Sequence, residues 1–113
     1  MRSLADLIPK LLAATNAKKL AWEKSVLGGQ TFKTQLGEIE VGVWGWLDDS
    51  TDQIEGVTAN LVGKSGQILD EVKRDEFAAG YNEVRELLLA ARRSALNVED
   101  VIADLDAKLD KLL

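Results

Sequence analysis

Two tryptophans and a lysine are the side chains best suited to bind a ligand. Trp44 and Trp46 lie two positions apart in EIEVGVWGWLDD (38–49), so both point to one face of any β-strand formed there. Lys33, in the preceding segment of alternating residues, is expected on the same face. Aromatic rings stack on bases and lysine contacts phosphate, so this set indicates either single-strand nucleic-acid binding or a surface for a protein partner.

A second candidate is the glycine-bounded loop Gly63–Gly66 in NLVGKSGQILDEV. Its G-K-S resembles part of a P-loop, but that motif needs a glycine five positions before Gly63, where this chain has Thr58. The GXXG spacing resembles the loop with which KH domains grip single-stranded RNA between two helices. Asp70 and Glu71 follow where lysines would suit a phosphate, so a hairpin turn is the favoured interpretation.

The carboxylates offer a third kind of chemistry. In DDSTDQ (48–53), Asp48 and Asp52 are spaced like the start of a calcium loop, but Gln53 replaces the required glycine and Ala59 the final glutamate. A hydrolase that uses a carboxylate pair is an alternative, although no pair lies in an apolar setting that would shift its pKa. We predict no catalytic residue, no metal site and no cofactor.

The amino-acid composition excludes further kinds of site and chemistry. The chain has neither cysteine nor histidine, which excludes disulfides, thiol nucleophiles and imidazole metal ligands. Its 113 residues predict a single domain, 1–113. No apolar run approaches the roughly 20 residues of a membrane span, and Asp6 and Pro9 interrupt the N-terminal segment, so we expect no membrane association and a cytoplasmic location.

The element that precedes these candidates is a helix. Apolar residues recur at helical spacing from Leu4 to Leu12. A proline is tolerated in the first turn of a helix and breaks a hydrogen bond deeper inside. An N-cap at Asp6 would make Pro9 the third helical residue, so Asp6 is preferred over Ser3 as the cap.

From Leu20 to Val72 the apolar period changes to two, which indicates β-strands. Glycines and the DDSTDQ segment mark turns between them, so the segments are expected to form an antiparallel meander of four to five strands. The predicted strands are LAWEK, QTFKTQL, EIEVGVWGWL, EGVTANLV and QILDEV. One sheet face is apolar, and the other is polar apart from the tryptophans.

After Asp75, which we predict as an N-cap, the spacing is helical to the end. A first stripe begins at Phe77, and Asn97 is the predicted cap of a second segment. The fold class is therefore α+β: an N-terminal helix, the meander, and two C-terminal helices packed on one face of the sheet. The final helix carries a leucine stripe that either docks on a sheet edge or pairs with a second copy.

Four segments together resemble a group of small uncharacterised bacterial proteins. The resemblance implies the order helix, meander, helices and a hairpin at the Gly63–Gly66 loop, and it implies no activity. The segments that carry it are LLAATNAKKLAW, TFKTQLGEIEVGV, NLVGKSGQILDEV and YNEVRELLLAARRSALNVEDVIADL.

These observations favour a non-enzymatic protein-interaction module that self-associates, as a homodimer. Single-strand nucleic-acid binding, through the tryptophans or the Gly63–Gly66 loop, is disfavoured by the net charge of −5. The tryptophans either lie over Gly42 and Gly45, are covered by the final helix or face a partner. The candidate interaction residues are Trp44, Trp46, Lys33, Leu105, Leu109 and Leu112.

Overall fold

The computed structural model describes residues 2–25, 31–47 and 54–113, and of residues 46, 47, 54 and 55 it describes the backbone alone. The elements are α1 (Leu4–Asn16), β1 (Trp22–Lys24), β2 (Thr31–Leu36), β3 (Ile39–Leu47), β4 (Ile54–Val62), β5 (Ile68–Asp75), α2 (Tyr81–Ala95) and α3 (Val98–Leu112). The strands form one antiparallel sheet whose spatial order follows the chain, β1-β2-β3-β4-β5. The predicted α+β fold and its meander are confirmed.

Glycines close two of the hairpins. Gly37, between β2 and β3, and Gly66, between β4 and β5, have positive φ angles of 64° and 85°, which a residue without a Cβ adopts freely. In the second hairpin the amide of Gly63 donates to the carbonyl of Gln67 at 2.8 Å. The Gly63–Gly66 loop therefore joins two strands, as predicted, whereas a KH loop joins two helices.

Helices α1 and α2 cover one face of the sheet. The centre of the predicted apolar face is buried there, with Phe32, Val43 and Ala59 at most 1% exposed. Leu36 and Ile39, at the tip of the β2–β3 hairpin, are more than a third exposed. The core formed with the two helices consists of Leu4, Ile8, Trp22, Phe32, Val41, Val43, Val57, Ala59, Val72, Val84, Leu87, Leu88 and Ala91.

Helix α1 begins two residues before the predicted cap. Ser3 is the N-cap, and its amide donates to the Asp6 carboxylate at 2.9 Å, so Asp6 belongs to the first turn rather than preceding it. The amide of Leu4 donates to the carboxylate of Asp70 on β5 at 2.8 Å, a long-range contact that the local sequence does not reveal. Pro9 therefore lies inside the helix, where it removes one backbone hydrogen bond.

The prediction of Asp75 as the cap of α2 was wrong. Asp75 ends β5, and its carboxylate accepts a hydrogen bond from the amide of Phe77 at 3.0 Å. This local turn delays the helix to Tyr81, with Gly80 as its N-cap at φ 87°. Phe77 consequently lies in the connection, 90% exposed, and is not part of the apolar face of α2.

Helix α3 follows α2 after a break at Asn97, which has the left-handed conformation φ 52°, ψ 43°. Asn97 occupies the predicted N-cap position, but its side chain makes no capping hydrogen bond. α2 packs directly on the sheet, and α3 packs against α2. Within the described ranges, no helix is both long enough and apolar enough to cross a membrane.

Candidate interaction surfaces

Trp44 lies on the outer face of the sheet, opposite the helices. It is half-buried and stands between Thr31 on β2 and Thr58 on β4. Beside it is a depression of about 360 Å³, whose lining includes Lys33, Asn60 and Trp44 itself. The structure therefore brings Trp44 and Lys33 together on one face, as the strand periodicity predicts.

The floor of this depression depends on a glycine. A Cβ atom at Gly42 would lie 2.7 Å from the side-chain oxygen of Asn60, so any other residue there would require that amide to move. The side chain that a Cβ at Gly42 would meet first is Asn60 rather than Trp44, and the arrangement with the tryptophans over Gly42 and Gly45 stays one of the alternatives. No α3 residue lines the depression in the described part of the chain, so the final helix does not supply the cover considered for Trp44.

Lys33 is already paired on this face. Its ammonium nitrogen lies 3.7 Å from a carboxylate oxygen of Glu23 and 3.5 Å from one of Glu40. One positive charge between two negative ones leaves a net negative cluster, which repels phosphate. This electrostatic environment does not favour nucleic-acid binding at Trp44.

The structure describes the other two tryptophans to different extents. The side chain of Trp46 lies outside the described residues, as does the whole DDSTDQ segment with its calcium-like spacing. Trp22 on β1 is 5% exposed, and its indole nitrogen donates to the hydroxyl of Thr15 at 2.9 Å. The Thr15 hydroxyl in turn donates to the carbonyl of Leu11 at 2.7 Å, so Trp22 fastens the end of α1 to the sheet.

An exposed apolar surface lies on α3, which has no buried residue. It comprises the predicted residues Leu105, Leu109 and Leu112, which are 53%, 46% and 80% exposed. Val101 and Ile102 extend it toward the start of the helix, 61% and 54% exposed. We call the following five side chains the α3 stripe: Val101, Ile102, Leu105, Leu109 and Leu112.

One ion pair holds the start of α3 against the body of the protein. The ammonium nitrogen of Lys18, in the loop after α1, lies 2.6 Å from a carboxylate oxygen of Glu99. The hydrogen bond and the opposite charge lower the pKa of Glu99 and raise that of Lys18. Both side chains are mostly exposed, so the pair orients α3 more than it stabilises the fold.

The edge of the sheet formed by β5 carries a pattern of charges that was not recognised as a candidate surface from the sequence. β5 is the last strand in the sheet and bears the consecutive charges Asp70, Glu71, Lys73 and Arg74 around the buried Val72. Exposed apolar side chains lie at both ends of the strand. The charges were visible in the sequence, but their significance depends on β5 being an edge strand.

Comparisons of the chain with protein-family models, with curated proteins and with solved structures found no match. The resemblance to small bacterial proteins therefore stays a prediction. In the described ranges, no three acidic side chains are grouped to hold a metal ion. The surfaces on α3, on β5 and around Trp44 are the geometry on which a functional proposal rests.

Proposed function

We propose that this protein is an interaction module that acts by binding rather than by catalysis, and that it self-associates through the α3 stripe. The observation that carries this proposal is a helix of 15 residues with five large apolar side chains on one face and none of them buried. Large apolar patches that stay exposed in a folded chain mark interaction surfaces. A bacterial, cytoplasmic setting is part of the proposal.

A second copy is the occupant that best fits the stripe. Val98, Ile102, Leu105, Leu109 and Leu112 follow alternating steps of four and three, the spacing with which two helices interdigitate along a common seam. Two copies of α3 present the same seam to each other, as a two-fold dimer requires.

The expected affinity is modest. Burying an aliphatic side chain completely contributes about 1.5–3 kcal/mol, and about half of that remains to be gained at each stripe residue. Two helices would thus gain on the order of 10 kcal/mol, comparable with the about 4–15 kcal/mol lost on association. At the low end of that cost about 6 kcal/mol remains, which corresponds to a weak dimer that forms at tens of micromolar.

Light scattering tests this proposal with a matched pair of variants. Replacing Leu105 and Leu109 together by serine removes the centre of the seam, whereas Ala107→Ser introduces the same side chain on the opposite face of α3. The wild type and the Ala107→Ser variant should have the same mass, above that of the monomer, at tens of micromolar, and the double variant should have a lower mass. A wild-type protein that stays monomeric in this range would refute self-association.

The double substitution is not expected to unfold the protein. Because α3 contributes no buried residue to the core, the double variant should keep its thermal midpoint at low concentration. A double variant that unfolds at lower temperature would instead show that the stripe is covered by its own chain.

A further inference from the structure

The outer edge of β5 is an interface of a different kind. β4 pairs with one side of β5, and no described strand lies on the other. An exposed strand edge is a template for another strand, and natural proteins commonly protect such edges with charged side chains. The arrangement of the charges decides which strands the edge rejects and which it accepts.

Two hydrogen bonds show which backbone groups face outward. The amide of Glu71 donates to the carboxylate of Asp70 at 2.8 Å, and the carbonyl of Lys73 accepts from the guanidinium of Arg74 at 2.9 Å. These groups therefore do not belong to the β4 ladder, in which alternate residues point inward. A partner strand could replace both side-chain bonds with backbone bonds at Glu71 and Lys73.

We propose that two copies of this chain pair antiparallel through β5, with the two-fold axis at Val72, to form a continuous ten-stranded sheet. In that register Glu71 faces Lys73 of the second copy, and Asp70 faces Arg74 of the second copy. Each contact occurs twice because the interface is two-fold symmetric. Opposite charges directly across an antiparallel pair are favourable, and all four pairs satisfy this rule.

The charge order also excludes the neighbouring registers. Moving the axis to residue 71 places Glu71 opposite its own copy, and moving it to residue 73 places Lys73 opposite its own copy. A parallel in-register pairing would align like charges along the whole strand. Sliding the partner by one residue would present its buried face to the solvent side.

Exposed apolar residues at the two ends of the strand fit the same axis. Ile68 and Leu69 are 59% and 53% exposed at one end, and Phe77 is 90% exposed just beyond the other. An antiparallel partner centred on Val72 brings Leu69 opposite Asp75, the last residue of β5, so Phe77 of the partner lies just beyond the paired segment at the end where Ile68 and Leu69 lie. The interface therefore buries apolar groups at both ends of a central block of ion pairs.

This interface does not depend on the α3 stripe. The end of α2 that precedes α3 lies beside the segment just before β1, since Ala90 and Ser94 line one depression with Leu20 and Ala21, and β1 is at the opposite edge of the sheet from β5. A chain that uses both surfaces would build assemblies larger than a dimer, because each copy would contact two others.

Charge reversal tests the β5 pairing directly, in the chain with Leu105 and Leu109 replaced by serine so that α3 does not contribute. In that background, Glu71→Lys alone and Lys73→Glu alone each place like charges across the axis. Each should weaken the dimer about tenfold or more in sedimentation equilibrium. The combination of both reversals in one chain restores opposite charges and should return the dissociation constant to within a few-fold of the background.

Mixing the two single variants gives the decisive result. Glu71→Lys and Lys73→Glu chains are complementary to each other, so their equimolar mixture should dimerise more tightly than either alone. Equal dissociation constants for all these samples, or a monomeric background, would overturn the β5 pairing. A wild-type dimer that the α3 substitutions abolish would still support the α3 stripe, so the two proposals fail separately.

Discussion

Helices α2 and α3 have the same length, 15 residues each, but α2 has four buried residues and α3 has none. Their apolar residues follow one uninterrupted alternation of steps of three and four across the break at Asn97. The residues in this series are Tyr81, Val84, Leu88, Ala91, Ala95, Val98, Ile102, Leu105, Leu109 and Leu112. Apolar periodicity therefore determines that a helix has a face to bury, and the surroundings determine whether that face is covered.

The largest expected difference between the two helices is in the free energy of unfolding when an equivalent leucine in each is replaced by alanine. Leu88 in α2 is 2% exposed and Leu109 in α3 is 46% exposed, 21 residues later in the same series. Leu88→Ala should lower the free energy of unfolding by about 2–5 kcal/mol, because it leaves a cavity in the core. Leu109→Ala should cost less than about 1 kcal/mol when measured by urea unfolding at low protein concentration. Equal losses would mean that α3 is covered within its own chain.

The break between the helices should respond to the conformational preference of residue 97. Asparagine tolerates the left-handed conformation, which costs most other residues about 1–2 kcal/mol. Asn97→Ala should therefore favour one continuous helix through α2 and α3, whereas Asn97→Gly should keep the break. The distance between the two helices can be measured with a pair of thiol-reactive labels attached at Glu86→Cys and Asp106→Cys. Because the chain has no cysteine of its own, only these two positions carry a label.

In a continuous helix these two positions lie about 30 Å apart along the axis. The alanine variant should shift the label distances toward that value, and the glycine variant should match the parent chain. Identical distributions in the two variants would show that residue 97 does not control the break.

The smallest expected effect is the pH dependence of the ion pair between Lys18 and Glu99, which holds the start of α3. The pKa of Glu99 is lowered by Lys18, so their contact stabilises α3 above the ordinary glutamate pKa and is lost as the pH falls through the lowered value. Because the pKa of Lys18 is raised, the contact is also lost as the pH rises through that raised value. Lys18→Gln should return the pKa of Glu99 toward its ordinary value in an NMR titration. Lys19→Gln serves as the matched control, and an unchanged Glu99 pKa in Lys18→Gln would contradict the pairing.

Much of the fold could be predicted because local patterns determine it. Alternation of apolar residues located the strands, and glycines such as Gly37 and Gly66 located the turns that order them. The starts of α1 and α2 could not be predicted so well, because in each case the carboxylate expected to cap the helix makes a different hydrogen bond. Asp6 lies within the first turn of α1 and accepts a hydrogen bond from the amide of the N-cap residue, Ser3. Asp75 accepts a hydrogen bond from the amide of Phe77, and the resulting turn places the start of α2 later in the chain.

The candidate surfaces were predictable in part. The periodicity placed Lys33 and Trp44 on one face, but Lys33 is held by Glu23 on β1 as well as by Glu40, and pairing with β1 becomes evident only in the folded sheet. The leucines of α3 were recognised as a stripe without a covering element, and that description holds for the folded chain. The self-complementary charges of β5 gained meaning only from the strand order.

Hydrogen exchange measured at two protein concentrations tests the central claim, that a second copy covers the α3 stripe. Amides of α2 serve as the internal reference, since its apolar face is buried in the single chain. We predict that exchange at residues 101–112 slows as the concentration rises from about one to about one hundred micromolar, a range chosen to span a weak dimer, while exchange in α2 changes little. Exchange in α3 that is equally fast at both concentrations would contradict the claim.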